Sequence, residues 1–282
     1  MLTTETNMAS GGEVTVYLGT DISLPRLRPK KSRKILRVPN VSAFEACHNL
    51  FFVCRASRLD SFASLLLSLN RQNFRGLFLL QDVELTFIDP LLREAKLSSL
   101  RKLLIQREDG FFERLNRILN AWEAGAAEKL IADATVAGEL LLIQSCDFRL
   151  HKIPFDSLKA LARLPVTNRD KFEIASDGSY LHWEQEEIDL DLDAFRYAID
   201  PRWRAVKDRE SLTHNKRFGT AVAALRRDRD LTQNGFIGVS EREIRRIEKG
   251  QTLPRTSTLQ AIASGHSMTL DEYLAEVAGM LG

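Results

Sequence analysis

The stretch VSEREIRRIEKGQTLP, residues 239–254, predicts a short helix with one basic face. An α-helix turns by about 100° per residue, so side chains at positions i, i+3, i+4 and i+7 lie on the same face. Ile244 and Ile247 fall on the opposite face, where they can pack against a core. The basic face consists of Arg242, Arg245, Arg246 and Lys249.

Capping residues mark both ends of this helix. Ser240 is an N-cap candidate, and Glu243 three residues later completes the pattern of a capping box. Gly250 stands where a C′ glycine commonly ends a helix, and Pro254 follows soon after. A basic helix face has two interpretations, because it either faces water or binds a polyanion such as nucleic acid.

The charges of the whole chain are unevenly distributed. Its 282 residues suggest about two domains, and its net charge is only +2. Residues 21–37 contain seven Lys and Arg against Asp21 alone, whereas residues 38–200 contain 19 basic and 25 acidic residues. Residues 201–282 contain 14 basic and 10 acidic residues. Two basic regions therefore flank an acidic middle, which is typical of a chain that contacts a polyanion with its ends.

The cysteines and the apolar segments indicate the cellular compartment of the protein. Cys47, Cys54 and Cys146 are odd in number, and Cys47 with His48 and Cys54 lacks the spacing of a zinc site. The acidic, polar start of the chain is unlike a signal peptide, and no apolar segment reaches the length of a membrane span. We therefore expect a soluble cytoplasmic protein with reduced thiols and no membrane contact.

The first 138 residues predict a disordered segment (1–12) followed by an α/β region (13–138). Alternating or apolar runs predict strands at 13–20, at 34–38 and within 76–89. Apolar spacing predicts helices at 42–70, within 90–124 and near 126–138. Residues 25–34, PRLRPKKSRK, are basic and interrupted by proline, so they cannot form a regular helix and are predicted to be a flexible arm.

The rest of the chain predicts a β-rich domain (139–200), a linker without clear pattern (201–213) and a helical bundle (214–282). Strands are expected at 139–145, 147–153, 171–174, 180–183 and 187–192, with the Asp177-Gly178 pair as a hairpin turn. Thr269 and Glu272 form a second capping-box pattern before the last helix. The predicted fold class is therefore α+β, with a mixed α/β N-terminal region, a small β-rich middle and an all-α C-terminal domain.

Residues 215–280 resemble the Cro/lambda-repressor type of helix-turn-helix domain. The most specific element of the resemblance is GVS…I..IEKG…P, beginning at Gly238 and ending at Pro254. In that family the helix that begins at the GVS serine enters the major groove of DNA. The resemblance implies a DNA-contacting set of Gln233, Ser240, Arg242, Arg245, Arg246, Lys249 and Arg255. It also implies a structural ion pair between Glu248 and Arg226.

The sequence departs from the family pattern in the segment before the basic helix. Only seven residues, 232–238, separate Leu231 from Val239, which is nearly one helical turn fewer than the family usually has. Asn234-Gly235 also disfavours a helix there. The family's second helix is therefore expected to be a single turn or a loop, and binding of a protein partner instead of DNA remains an alternative.

A second, shorter resemblance covers residues 169–195. It rests on Asp177, Gly178, Trp183 and Asp189, and is to a small bacterial domain of unknown function that often precedes a helix-turn-helix in toxin–antitoxin-like operons. Asp189, Asp191, Asp193 and Asp200 occupy calcium-loop positions, but the loop's glycine and final glutamate are missing. Their alternation with apolar residues indicates a strand face instead.

No catalytic, metal or cofactor motif stands out, so we expect a protein that is not an enzyme. The expected function is that of a dimeric, sequence-specific transcriptional repressor that binds double-stranded DNA at the nucleoid. One alternative is an antitoxin-like, defence or mobile-element adaptor that binds a protein partner encoded nearby. Another is an enzyme whose catalytic domain lies unrecognised in the N-terminal region. The basic arm is a further DNA-contact candidate through Arg26, Arg28, Lys30, Lys31, Arg33 and Lys34.

Overall fold

A computed structural model of the chain divides into two compact units, Met1–Ile199 and Asp200–Gly282. A parallel sheet in the first unit and helices in the second confirm the α+β class. Residues 1–11 of the segment expected to be disordered lie outside the described residues. The structure describes residues 12–19, 22, 31–37, 49–60, 63, 66, 73–97 and 102–281.

The first unit contains a five-stranded parallel sheet in the order β2-β1-β3-β4-β5. Its strands are Val14–Leu18 (β1), Arg33–Arg37 (β2), Asn49–Arg55 (β3), Phe74–Leu80 (β4) and Leu103–Gln106 (β5). The predicted strands around β1, β2 and β4 are confirmed. The helix predicted across 42–70 is wrong where β3 lies, because a strand buried on both faces has a continuous apolar run that periodicity does not distinguish from a buried helix.

Helices cover both faces of this sheet. Phe51 and Phe52 are consecutive in β3 and point to opposite faces. Phe51 packs in a core with helix Phe111–Glu123 (α2), whereas Phe52 packs in a core with helix Leu85–Glu94 (α1). Strand β5 thus interrupts the helical pattern predicted over 90–124. Its Leu103 and Leu104 fit the apolar spacing of a helix as well as that of a strand.

Two three-stranded antiparallel sheets complete the first unit, and they share one core around Trp183. The predicted strands in residues 139–192 are confirmed, but the helix predicted near 126–138 is wrong. Residues 131–137 form a strand that pairs with the strand at residues 140–145. The boundary expected at 138/139, between the α/β region and the β-rich domain, therefore lies in a hairpin turn. The strands are Ile131–Ala137 (β6), Leu140–Ser145 (β7), Leu150–Pro154 (β8), Glu173–Ile174 (β9), Tyr180–Trp183 (β10) and Ile188–Asp191 (β11), with helices Lys159–Ala162 (α3) and Leu192–Ile199 (α4).

The second unit is helical. Its helices are Pro201–Asp228 (α5), Glu241–Glu248 (α6), Thr256–Gly265 (α7) and Leu270–Leu281 (α8). The linker expected at 201–213 is instead the first half of α5. The Asp200 side chain caps this helix by accepting from the Arg202 and Trp203 amides, and Pro201 takes the favoured first position. This half of α5 is mostly exposed, which explains why its sequence shows no apolar stripe.

Two glycines allow α5 and the end of α6 to approach closely. A Cβ atom added to Gly219 of α5 would lie 2.3 Å from the Ile247 carbonyl oxygen. Gly250 ends α6 with φ +65°, as the C′ position requires, and a Cβ there would lie 2.6 Å from the Lys216 Cα. Backbone therefore packs against backbone at this crossing, which fixes the position of α6.

None of the helices in the described ranges combines the length and the apolar character that a bilayer crossing demands.

Replacing Gly219 by alanine should destabilise the second unit by about 1–3 kcal/mol, because the added methyl group has no room beside the Ile247 carbonyl. Gly279→Ala in α8 is the matched control, since nothing lies within 4 Å of its Cβ position. That control should be neutral or slightly stabilising, because alanine favours a helix over glycine. Urea unfolding with amide exchange of α6 measures both variants, and equal stability of the two would contradict the close packing.

Candidate nucleic-acid interface

Helix α6 has the two faces that its sequence predicts. Ile244 and Ile247 are 1% and 0% exposed and belong to the core of the second unit. The N-cap is also confirmed, because Ser240 Oγ accepts from the Glu243 amide at 3.2 Å. The side chains exposed on the other face are Arg242, Arg245, Arg246 and Lys249. The helix therefore presents four cations to solvent from a backbone anchored by two isoleucines.

The exposed cations differ in their partners. Arg245 forms an i,i+4 ion pair with Glu241 on the same exposed face. Arg242, Arg246 and Lys249 have no carboxylate partner within the described part of the chain. In a capping box the Glu243 carboxylate would accept from the Ser240 amide. Here it accepts from Thr258 Oγ1 instead, at 3.1 Å. Three of the four cations are thus available to an external anion without losing an internal pair.

The ion pair implied by the resemblance is present between Arg226 of α5 and Glu248 of α6. Arg226 Nε lies 2.5 Å from Glu248 Oε1, and Nη2 lies 3.2 Å from Oε2. Their side chains are only 11% and 7% exposed. Arg226 Nη1 also donates to the Leu231 carbonyl at 2.7 Å. This nearly buried, bidentate pair holds together the end of α5, the following turn and the end of α6.

The resemblance implies that Gln233 contacts DNA, but its amide nitrogen donates to Glu248 Oε2 at 2.6 Å. Its side chain is half-buried and completes the Arg226–Glu248 cluster. Arg255, in contrast, is exposed at the N-cap position of α7, where its side chain makes no capping hydrogen bond. Gln233 is therefore placed as a structural residue, and Arg255 as an exposed cation.

The segment between α5 and α6 contains turns and no helix, as the short spacing predicts. Phe236 is buried, and its ring occupies the space above Gly265, where a Cβ would lie 2.5 Å from the ring. The next residue, Ile237, is 93% exposed. Gly238 then has φ +84°, which turns the chain towards Val239 and the start of α6.

The proposed basic arm is only partly described, and one of its residues is buried. Arg33 is 2% exposed and begins strand β2. Its guanidinium donates to Glu123 at 2.5 Å and to Asn116 and Asn120 of α2. The expectation that Arg33 contacts DNA is therefore wrong, because its charge is used inside the first unit. Lys34 pairs with Glu13 at 2.5 Å, and Lys31 is exposed. Arg26, Arg28 and Lys30 lie outside the described residues.

The aspartates at calcium-loop spacing have structural roles. Asp189 lies across from His182 in the β10–β11 pair, with a 2.7 Å contact between carboxylate and imidazole. Asp191 accepts from the Ala194 amide at 2.7 Å near the start of α4. Within the described residues, no group of three His, Cys, Asp or Glu side chains is placed to hold a metal ion.

The turn between β7 and β8 brings a serine, an aspartate and a histidine together, a cluster that no sequence motif predicts. Ser145 Oγ donates to Asp147 and lies 3.4 Å from His151 Nε2. A nucleophilic serine must reach a substrate and be hydrogen-bonded to its base. Ser145 is 1% exposed, and its hydroxyl contacts both the Asp147 carboxylate and the Arg149 carbonyl oxygen, so these groups brace the turn. Burial also raises the pKa of the adjacent Cys146 thiol to about 12.

The order of the parallel sheet identifies a position that sequence analysis missed. Ligands of open α/β sheets bind outside the carboxyl ends of the strands, where the strand order reverses. Here that position lies between β1 and β3, next to the loops that follow β3 and β4. In those loops Asp82, which follows β4, accepts from the amide and the hydroxyl of Ser57, which follows β3, at 2.9 and 2.5 Å. Both carboxylate oxygens therefore join two loops beside the reversal point. An acid two residues after a buried strand is the sequence signal for this contact.

No protein-family model, curated protein or solved structure matches this chain.

Replacing Glu248 by alanine should destabilise the second unit by about 3–5 kcal/mol, because it leaves the Arg226 charge nearly buried and unpaired. Glu241→Ala on the same helix removes an exposed pair with Arg245 and should cost less than about 0.5 kcal/mol. Chemical unfolding of both variants checks the difference. A small loss for Glu248→Ala would show that this pair does not hold α6.

His266 should make the stability of the second unit fall as the pH falls from 7 to 5. Its ring is 3% exposed between Phe236 and Tyr273, and neither ring nitrogen has a hydrogen-bond partner within the described chain. Burial, aided by the nearby Arg229 charge, lowers the pKa of His266. The folded ring therefore stays neutral while the unfolded one gains a proton below about pH 6.5, which favours unfolding.

The loss of stability should approach at most about 1.4 kcal/mol per pH unit below the unfolded pKa. Urea unfolding across this pH range measures the slope. His266→Phe should reduce it, whereas His214→Gln, at an exposed position of α5, should leave it unchanged. An unaltered slope in His266→Phe would show that this ring is not the titrating group.

Proposed function

We propose that this chain is a sequence-specific DNA-binding regulator that reads the major groove with α6. The observation that carries the proposal is the exposed set of four cations on a helix whose other face is anchored in a core. A helix fits the major groove, and arginine can bind guanine through two hydrogen bonds. The proposal assigns binding rather than catalysis to the protein.

Attraction between the cations of α6 and the DNA phosphates would supply the sequence-independent part of the binding free energy. Lys and Arg side chains displace counterions from the phosphates, so affinity should fall steeply as salt rises. Arg242, Arg246 and Lys249 can do this without breaking an internal pair. Arg245 would exchange Glu241 for a phosphate or a base edge, and Arg255 adds a charge at the start of α7. Ser240 contributes by fixing the first turn of α6, whose amides can also face a phosphate.

The proposal includes a homodimer that acts as a repressor at the nucleoid, in the cytoplasm. An eight-residue helix reaches few base pairs, so one copy provides limited specificity. Two copies related by a two-fold axis would read two half-sites about one helical turn apart. The first unit, with its own cores, would provide the contact between copies.

A second candidate function is that of an adaptor that binds a protein partner. The first half of α5 favours it, because Val206 and Leu212 are 46% and 49% exposed in this mostly polar segment. Exposed apolar side chains on a helix can dock into an apolar groove of a partner. Co-purification of a neighbouring gene product, lost in a Val206→Ser/Leu212→Ser variant, would support this function over DNA binding.

Reversing two charges of α6 should abolish specific DNA binding. We expect the Arg242→Glu/Arg246→Glu variant to bind at least about a hundredfold more weakly, because each arginine contact typically contributes about 1–3 kcal/mol. The salt dependence of the remaining binding should also become weaker. The measurement is a fluorescence anisotropy titration with duplexes selected by the wild-type protein from a random library.

Arg202→Glu/Arg209→Glu is the matched control, because both arginines are exposed in the first half of α5, in the same unit but on another helix. It makes the same change of charge as the α6 variant and should bind the selected duplexes nearly as the wild type does. Equal affinity of the α6 variant and the wild type, or the absence of any duplex binding, would contradict the proposal.

A further inference from the structure

Ile237 is the most exposed of the large apolar side chains on the surface of the described chain, at 93%. It lies in the turns between α5 and α6, where the resemblance would place a helix. Leaving an isoleucine in water forgoes about 1.5–3 kcal/mol of burial free energy. This side chain is thus available to an external surface and contributes little to the core.

The packing of its neighbours holds Ile237 outward. Phe236 is 4% exposed, and its ring lies 5.5 Å from the His266 ring in the core. Val239 is 8% exposed and also belongs to the core, while Gly238 between them adopts φ +84°. With anchors at 236 and 239 and a left-handed glycine at 238, the chain presents Ile237 and Gly238 to solvent, and only Ile237 has a side chain. The exposure of Ile237 is therefore fixed by the core on both sides of it.

Ile237 lies shortly before helix α6, whose exposed face has four cations. Ser240 begins α6 three residues later, so the Cα atoms of Ile237 and Ser240 are at most about 11 Å apart. Arg242 and Arg246 follow on the exposed face of that helix. An isolated apolar side chain beside several cations fits a polyanion that also carries apolar groups. The major groove of DNA offers this combination, because each thymine exposes a C5-methyl group there among the phosphates.

We propose that Ile237 contacts the C5-methyl group of a thymine at the edge of the DNA segment that α6 reads. This inference rests on the proposed DNA-binding function and adds a specificity contact that carries no charge. The loop that replaces a helix in this chain would thereby take part in sequence recognition. The contact predicts a preference for thymine over cytosine and over deoxyuridine at one position of the binding site.

The test combines a protein change with a DNA change that removes only the methyl group. Full-length wild-type protein and Ile237→Ala are titrated with a duplex that the wild type selects from a random library. Each thymine of that duplex is then replaced in turn by deoxyuridine. At one position the wild type should lose about threefold to fivefold in affinity, as expected for one methyl-sized contact. Ile237→Ala should lose a similar factor on the thymine duplex and should be indifferent to deoxyuridine there.

Two controls separate this contact from other effects. Val166→Ala removes another highly exposed apolar side chain, at 71%, from the first unit and should bind as the wild type does. The salt dependence of Ile237→Ala should equal that of the wild type, because no charge is removed. Its thermal unfolding should also be unchanged, since the side chain is outside the core.

The outcomes distinguish this inference from the function on which it rests. Wild-type affinity of Ile237→Ala for the thymine duplex would overturn the methyl contact while leaving DNA binding intact. A loss of equal size on the thymine and deoxyuridine duplexes would also overturn it. If the wild type binds no duplex, the proposed function fails and the inference fails with it. A protein partner that co-purifies with the wild type and is lost in Ile237→Ala would then assign this residue to a protein interface.

Discussion

The nearly buried ion pair between Arg226 and Glu248 is the constraint on which the second unit depends. It joins the end of α5 to the end of α6, and Gln233 attaches the intervening turns to the same carboxylate. The close approach at Gly219 leaves α6 little freedom to slide along α5. A charge pair removed from water has a large desolvation cost, so it favours the one arrangement in which all its hydrogen bonds form. The exposed face of α6 is thereby held in a defined position.

The turns between α5 and α6 are anchored in the same core. Phe236 fills the space beside His266 and Val239 leads into α6, so this segment is packed without a helix of its own. Two polar groups of the segment are used internally, since Gln233 reaches Glu248 and the Leu231 carbonyl accepts from Arg226. Ile237 and the cations of α6 stay exposed to an external partner.

The sequence predicted those parts of the molecule whose pattern is local. Local pattern predicted β7, β8 and β10, alternation predicted β11, and the capping residues predicted both ends of α6. Local pattern failed where burial or exposure is uniform: β3 is apolar on both faces, and the first half of α5 is exposed on nearly all faces. The basic face of α6 could be predicted, because it needs only helical spacing. The burial of Arg33 and the exposure of Ile237 could not, because each depends on side chains distant in sequence.

The proposed function requires that the exposed cations of α6 enter the major groove of duplex DNA. Methylation interference at guanine N7 tests this contact, because that atom lies in the major groove and accepts from arginine. Methylating one or two guanines in a selected duplex should prevent binding, whereas a drug that occupies the minor groove should have little effect. Binding that is insensitive to N7 methylation and is displaced by the minor-groove drug would contradict it.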